Sequence, residues 1–180
     1  MTGRRGQRRL LLVSLLAAAI GACAGPASVA TFPPAGTTPQ PAGDATSAAK
    51  GQVIAALAAA GLLAAETDRP YRPPEGPLLS AAPRDVLQVA LTDDPDHGYI
   101  VVYALPSPTL AAAAAHDQAA YLASGTGGAS LFPPGTEVVL RVIGSNVVFF
   151  HWRPGDRADQ QTDGIAAALQ GIGTAVDVPS

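Results

Sequence analysis

The sequence predicts an α+β domain with one antiparallel four-stranded sheet, built from two β-hairpins, and with helices on one face. Two pairs of apolar runs rich in Val, Ile, Tyr and Phe are separated by short polar turns, which is typical of hairpins. Helix-favouring segments precede, separate and follow these pairs. The element order is therefore α-ββ-α-ββ-α, which suggests a tandem αββ repeat packed as two layers.

The first unit opens with a helix over residues 52–60, which are mostly Ala, Val, Ile and Leu and are followed by Gly61 as a stop. A long irregular stretch with five prolines follows over residues 66–85. Residues 86–91 and 99–105 then form the first hairpin, joined by a turn dense in Asp, Pro and Gly.

The second unit begins where Ser107 is a good helix N-cap and Pro108 occupies the first helical position. This helix runs to about Ala123, before a glycine-rich connection. Residues 137–143 and 147–152 form the second hairpin, which is the strongest structural prediction.

The turn of the second hairpin has two readings. Either Gly144-Ser145 or Ser145-Asn146 are the two turn residues, and the choice decides which side chains share a face.

A last helix is predicted over about residues 159–175. Its apolar positions recur at spacings of four and three: Ile165, Leu169 and Ile172. In an αββ repeat, residues 99–105 and 147–152 would be the equivalent strands.

The first 22 residues have the pattern of a signal peptide. Four arginines and no acids open the chain, and an apolar run over residues 10–20 follows. That run is too short to span a hydrocarbon core, which takes about 20 residues. We therefore expect export, and an extracytoplasmic protein.

The end of this leader reads Ile20-Gly21-Ala22-Cys23 and resembles the bacterial lipobox. The resemblance implies that a diacylglyceryl group is joined to the Cys23 thiol and that the leader is cut just before it. Two acyl chains anchor a protein stably to a membrane, whereas one binds reversibly. The alternative is an ordinary secretory signal with a chance cysteine, although Cys23 is the only cysteine in the chain.

A disordered, lipid-anchored tether is predicted over residues 23–47, because Ala, Gly, Pro, Thr and Ser cannot bury enough surface to offset chain entropy. Its reach is about 25–30 Å. A single domain follows over residues 48–178.

Charge excludes some partners. Without the four arginines of the leader, seven basic residues stand against fourteen acids, a formal charge of −7. Nucleic-acid binding, which depends on Lys and Arg, is not expected, and the lipid must hold the protein to the cell membrane.

No catalytic, metal or cofactor motif stands out. Asp93, Asp94, Asp96 and His97 do not follow the spacing of a calcium loop, and we interpret them as a solvated turn. The three histidines lie in separate elements without zinc-ligand spacing. We expect no metal and no cofactor.

Two segments are candidate partner-binding surfaces. Tyr71 and Arg72 lie on a stiff proline-rich backbone, which loses little entropy on binding. The alternative is a loop laid over the sheet, with Leu78 and Leu79 as its apolar plugs.

The second candidate surface is the end of the second hairpin. Alternation sends Phe150 and Trp152 to one face, and sends Phe149, His151 and Arg153 to the other. One set must be core. The other is either an exposed contact face or is covered by edge packing or by the long loop.

The organisation of the domain also resembles small, uncharacterised envelope lipoproteins of GC-rich bacteria, over residues 82–103 and 147–150. This resemblance supports the fold and adds nothing about activity. We therefore expect a lipid-anchored, non-enzymatic binding module for an envelope protein, glycan or small ligand. The alternatives are a structural or assembly factor of the envelope, or a hydrolase with dispersed catalytic residues, which would need His116 or His151 in a cleft.

Overall fold

The computed structural model describes residues 41–124, 131–154 and 160–179. The predicted signal peptide, the predicted lipobox with Cys23 and most of the predicted tether lie outside these residues, as does the glycine-rich connection that follows Ser124. Among the described helices, none is both long enough and apolar enough to cross a membrane.

The described chain contains four α-helices and six strands, after a short 3₁₀ turn at Gly43–Thr46. The helices are α1 Ser47–Ala59, α2 Pro77–Ser80, α3 Pro108–Ala123 and α4 Gln160–Gln170. The strands are β1 Ala64–Glu66, β2 Arg84–Val89, β3 Tyr99–Ala104, β4 Glu137–Ile143, β5 Asn146–Trp152 and β6 Thr174–Ala175.

All six strands form one antiparallel sheet in the order β1-β2-β3-β5-β4-β6. The α+β class and both hairpins are confirmed, and Ser107 caps α3 as expected by accepting from the Leu110 amide. The prediction of four strands is wrong, because β1 and β6 extend the sheet at its edges. These strands have three and two residues and are largely exposed, so they carry no apolar pattern.

Helices cover both faces of the sheet, so the prediction of helices on one face is also wrong. On one face α1 and α4 bury Val53, Leu57 and Ile165 against the sheet. On the other face α3 and α2 cover β3, β4 and β5. Every residue of β3 is buried, and a continuous apolar run of this kind is typical of a strand that is covered on both sides.

The two hairpins meet through β3 and β5, which pair antiparallel with Val101 opposite Phe149. If the two units were a true repeat, a two-fold axis perpendicular to the sheet would relate the hairpins. Such a rotation maps each face of the sheet onto itself, so the helices that precede the two hairpins would lie on the same face. However, α1 and α3, the helices that precede the two hairpins, pack on opposite faces. The αββ repeat therefore does not extend to the helices.

The turn between β4 and β5 consists of Gly144 and Ser145, because Ile143 pairs with Asn146. Gly144 has a φ of 57°, a conformation that glycine adopts at no steric cost. The structure therefore has Gly144-Ser145 as the two turn residues, and not Ser145-Asn146.

The last helix is shorter than predicted. It ends at Gln170, and the chain then turns at Gly173, whose φ is 55°, to place β6 beside β4. Ile172 continues the helical spacing of Ile165 and Leu169, so the apolar pattern does not indicate this break.

The folded part begins before residue 47, where the tether was predicted to end. The Ala42 amide donates to Asp85 Oδ1 at 3.1 Å, and the fully buried Thr46 hydroxyl donates to the same carboxylate. Lys50 Nζ lies 2.9 Å from Asp85 and 2.7 Å from Glu66. Burial raises the pKa of Asp85, but hydrogen bonds from Thr46 and Lys50 outweigh burial and hold that pKa below its usual value.

Candidate functional site

The long irregular segment, residues 67–76, lies over one end of the sheet, and we call it the strap. Its Tyr71 ring stacks on the Tyr99 ring with centroids 4.5 Å apart and planes 16° apart. The Tyr71 hydroxyl lies 2.5 Å from His151 Nε2. Just beyond the strap, Leu79 in α2 is buried, whereas Leu78 is 49% exposed. The structure therefore has a loop laid over the sheet, but only Leu79 acts as a plug.

A buried ion pair fixes the base of the strap. The Glu75 carboxylate accepts from the Arg84 guanidinium, from Arg72 Nε at 2.7 Å and from the Tyr103 hydroxyl at 2.7 Å. The side chains of Glu75 and Arg84 are only 2% and 5% exposed. Burial raises the pKa of Tyr103, and the Glu75 carboxylate raises it further.

The side chain of Gln118 on α3 holds the strap at the same point. It accepts from the Gly76 amide at 2.7 Å and donates to the Pro74 carbonyl at 2.9 Å. Because Gln118 is fully buried, both of its hydrogen bonds form away from water.

A cleft of about 340 Å³ opens at the end of the two central strands, and we call it the strand-end cleft. Tyr71 of the strap, Tyr99 at the start of β3, and His151 and Trp152 at the end of β5 supply its rings. The remaining lining comes from neighbouring segments: Asp96, His97, Gly98, Pro133, Thr136, Arg153 and Thr162.

Burial favours the uncharged forms of the Tyr71 phenol and the His151 imidazole in the cleft. It lowers the pKa of His151 to about 4, and His97 lowers it further. Burial also raises the pKa of Tyr71, with smaller contributions from Tyr99 and Glu75. At neutral pH the Tyr71–His151 contact is therefore a hydrogen bond between neutral groups.

The turn between β2 and β3 forms part of the rim of the cleft, where the side chains of Asp96 and His97 are paired, the first with the strap and the second within the turn. Asp96 lies 3.2 Å from Arg69 Nη1, and the same nitrogen donates to the Tyr99 hydroxyl at 2.9 Å. His97 Nδ1 lies 2.5 Å from Asp94 Oδ1. The other oxygen of Asp94 is buried without a hydrogen-bond partner among the described residues.

The structure brings three of the candidate partner-binding residues together: Tyr71, His151 and Arg153 line the strand-end cleft. Arg72 does not line it, since its guanidinium is directed to Glu75 and the Ser80 carbonyl. Phe149 is only 1% exposed and belongs to the core, so at this residue the structure has the covered reading of the face and not the exposed one.

Sequence reasoning missed other members of the cleft. Tyr99 and Trp152 were assigned to the buried strands, and Asp96 and His97 to a solvated turn. His116 is exposed on α3 and does not line the cleft. Within residues 41–124, 131–154 and 160–179, no three His, Cys, Asp or Glu side chains converge as metal ligands.

The cleft combines neutral rings with a rim that carries both signs of charge. Such a lining can hold a small molecule that has both apolar and hydrogen-bonding surfaces. In the comparisons with known proteins, no family model, no curated protein and no solved structure matches the chain.

Proposed function

We propose that the protein is a lipid-anchored, extracytoplasmic binding module whose ligand site is the strand-end cleft. One observation carries the binding role: residues from the strap, from two central strands and from a turn converge on one cleft, where Tyr71, His97, Tyr99 and His151 are already held by other side chains. A site whose side chains are ordered before binding loses less entropy when the ligand arrives.

The anchor rests on the sequence. The arginine-rich leader, the short apolar run and Ile20-Gly21-Ala22-Cys23 support export, cleavage and lipidation at Cys23. A mature chain with a formal charge of −7 gains nothing from anionic lipid headgroups, so the acyl chains supply the membrane affinity.

Replacing the cysteine tests the anchor. The Cys23→Ala variant is expected to retain its leader, to take up no labelled fatty acid and to remain as a heavier precursor. Ser28→Ala, five residues further along, is the control and is expected to be processed and labelled like the wild type. Normal processing and labelling of Cys23→Ala would contradict the lipid anchor.

Replacing rim residues tests the binding role. His97 and Arg153 are exposed at the cleft, so His97→Ala and Arg153→Ala are expected to remove contacts with a ligand and to retain less of any molecule that co-purifies from the envelope. His116→Ala is the matched control, because His116 is exposed on α3, away from the cleft lining. A purely structural role in the envelope instead predicts a protein complex that both rim variants leave intact.

A further inference from the structure

We infer that the strand-end cleft binds a neutral saccharide, with one or two sugar rings inside the cleft. This inference rests on the proposed binding function and names the ligand class. Four features of the cleft support it: its rings, its planar polar rim, its balance of charge and its size.

The rings suit the amphipathic surface of a sugar. Tyr71, Tyr99, His151 and Trp152 give the cleft apolar ring surface, and Tyr71 and His151 also carry polar atoms at their ring edges. A pyranose presents a patch of C–H groups on its face and hydroxyls around its edge. Aromatic side chains with one polar end match such a ligand, because they pack against the C–H patch while a polar tip remains near the hydroxyls.

The rim supplies planar hydrogen-bonding groups. The Asp96 carboxylate has a second oxygen besides the one that accepts from Arg69, and the Arg153 guanidinium carries five donors in a fixed plane. Neighbouring hydroxyls of a sugar can pair with two atoms of one such group. His97 Nδ1 faces Asp94 Oδ1 at 2.5 Å, so Nε2 is the ring nitrogen that is left to face a ligand hydroxyl.

The charges at the cleft favour a neutral ligand over an ion. Asp96 is already paired with Arg69, and Asp94 is buried with one oxygen against His97, so a cationic ligand would meet no exposed, unpaired carboxylate among these groups. Phosphate groups are usually held by several Lys or Arg side chains, whereas Arg153 is the one such residue in the described lining. The mature chain, at −7, also repels anions at long range.

The volume limits the length of the ligand. At about 340 Å³ the cleft is near the lower end of ligand pockets, which span roughly 300–1,000 Å³. One or two rings fit such a space, and the rest of a longer glycan would extend past the exposed rim at Asp96, His97 and Arg153.

The position of the only tryptophan makes the inference directly measurable. Trp152 lines the cleft, so saccharide binding is expected to change the intrinsic fluorescence of the protein. The experiment uses the full lipoprotein in a polyoxyethylene detergent, because glucoside and maltoside detergents carry sugar headgroups. Titrants are neutral disaccharides of glucose, galactose, mannose, arabinose and N-acetylglucosamine, together with inorganic phosphate and cyclohexanol, which does not fluoresce.

We expect at least one neutral disaccharide to give a saturable change in fluorescence. His97→Ala and Arg153→Ala are each expected to raise its Kd at least tenfold, whereas His116→Ala leaves the Kd within twofold of the wild type. Thermal unfolding of each variant, followed by far-UV circular dichroism, identifies any variant that fails to fold. Asp96→Asn, which keeps the shape of the side chain, replaces such a variant in the comparison.

Two results would overturn the inference, and they are distinguishable. If phosphate or cyclohexanol gives a saturable change that depends on Arg153 and no disaccharide does, the cleft is a binding site for another class of ligand and the proposed function survives. If no titrant changes the fluorescence, and the rim variants retain co-purifying molecules as the wild type does, both the saccharide inference and the binding role of the cleft fail.

Discussion

The imidazole of His151 packs against three neutral aromatic rings. Its ring centroid lies 4.8 Å from that of Phe132, 6.1 Å from Phe149 and 6.2 Å from Tyr71. Burial among these rings disfavours the imidazolium form and lowers the pKa of His151 to about 4. A residue that the sequence offers as a surface contact is thus also a residue on which stability depends.

The unfolding free energy is expected to decrease as the pH falls, because His151 resists protonation in the folded state. Its folded-state pKa of about 4 lies below the ordinary value of 6.5, so the unfolded chain takes up the proton first as the pH falls. The contribution is complete above about pH 6.5 and is lost between pH 6.5 and 4. Between pH 7.5 and 4.5 the wild type should lose about 2–3 kcal/mol of unfolding free energy through this group, measured by urea denaturation.

Two glutamine variants isolate this loss from that of other titrating groups. His151→Gln should show a fall in unfolding free energy that is smaller by about 2–3 kcal/mol. His116→Gln replaces an exposed histidine and should keep the fall of the wild type. Equal pH dependence in His151→Gln and the wild type would contradict the burial of a neutral imidazole.

Glu75 is expected to be essential for stability. Glu75→Gln removes the carboxylate that pairs with the buried guanidinium of Arg84, and an uncompensated buried charge costs about 3–5 kcal/mol. Glu137→Gln, at an exposed position of β4, is the control and should stay within about 0.5 kcal/mol of the wild type. Chemical denaturation at neutral pH measures the unfolding free energy of both variants. An equally small loss in Glu75→Gln and Glu137→Gln would show that the ion pair is not needed for stability.

At the scale of elements, the hairpins could be predicted because each carries its own pattern. Alternation, β-branched residues and the glycine turn at Gly144 are local signals, and β4 and β5 pair as those signals indicate. The edge strands could not be predicted, because β1 and β6 are short and obtain their hydrogen bonds from β2 and β4. The strap could be recognised as irregular from its prolines, but its attachment depends on Gln118, 42 residues away from Gly76.

The turn before β6 is expected to tolerate no side chain at Gly173. Its φ of +55° disfavours other residues, and an added Cβ would lie 2.4 Å from the Val142 carbonyl oxygen. Gly173→Ala should therefore lower the unfolding free energy by at least about 1–2 kcal/mol. It should also speed hydrogen exchange at the Val176 amide, which donates to Leu140 O at 3.0 Å.

Gly171 is the matched control for this change. An added Cβ there would meet its nearest atom, the Ala168 carbonyl oxygen, at an ordinary 3.5 Å. Gly171→Ala should leave exchange at Val176 as in the wild type. If the two alanine variants behave alike, the pairing of β6 with β4 does not depend on the turn at Gly173.

At the scale of the whole molecule, the cleft depends on contacts that no local pattern contains. Tyr71 and His151 meet across 80 residues of sequence, and the turn with Asp96 reaches the same place from a third segment. The sequence therefore identified Tyr71, His151 and Arg153 one by one as candidates. That they meet follows only from the antiparallel pairing of β3 with β5 and from the strap that crosses this end of the sheet.

The central claim is that a lipid on Cys23 holds a binding module whose ligand lies in the strand-end cleft. The intact mass of the protein, extracted gently from its own membrane, tests this most directly, with the His97→Ala/Arg153→Ala variant beside the wild type. We predict a chain that begins at Cys23 and carries a diacylglyceryl group, together with a non-covalent small molecule that the variant loses. A mass without lipid would contradict the anchor, and a small molecule retained equally by the variant would contradict the cleft.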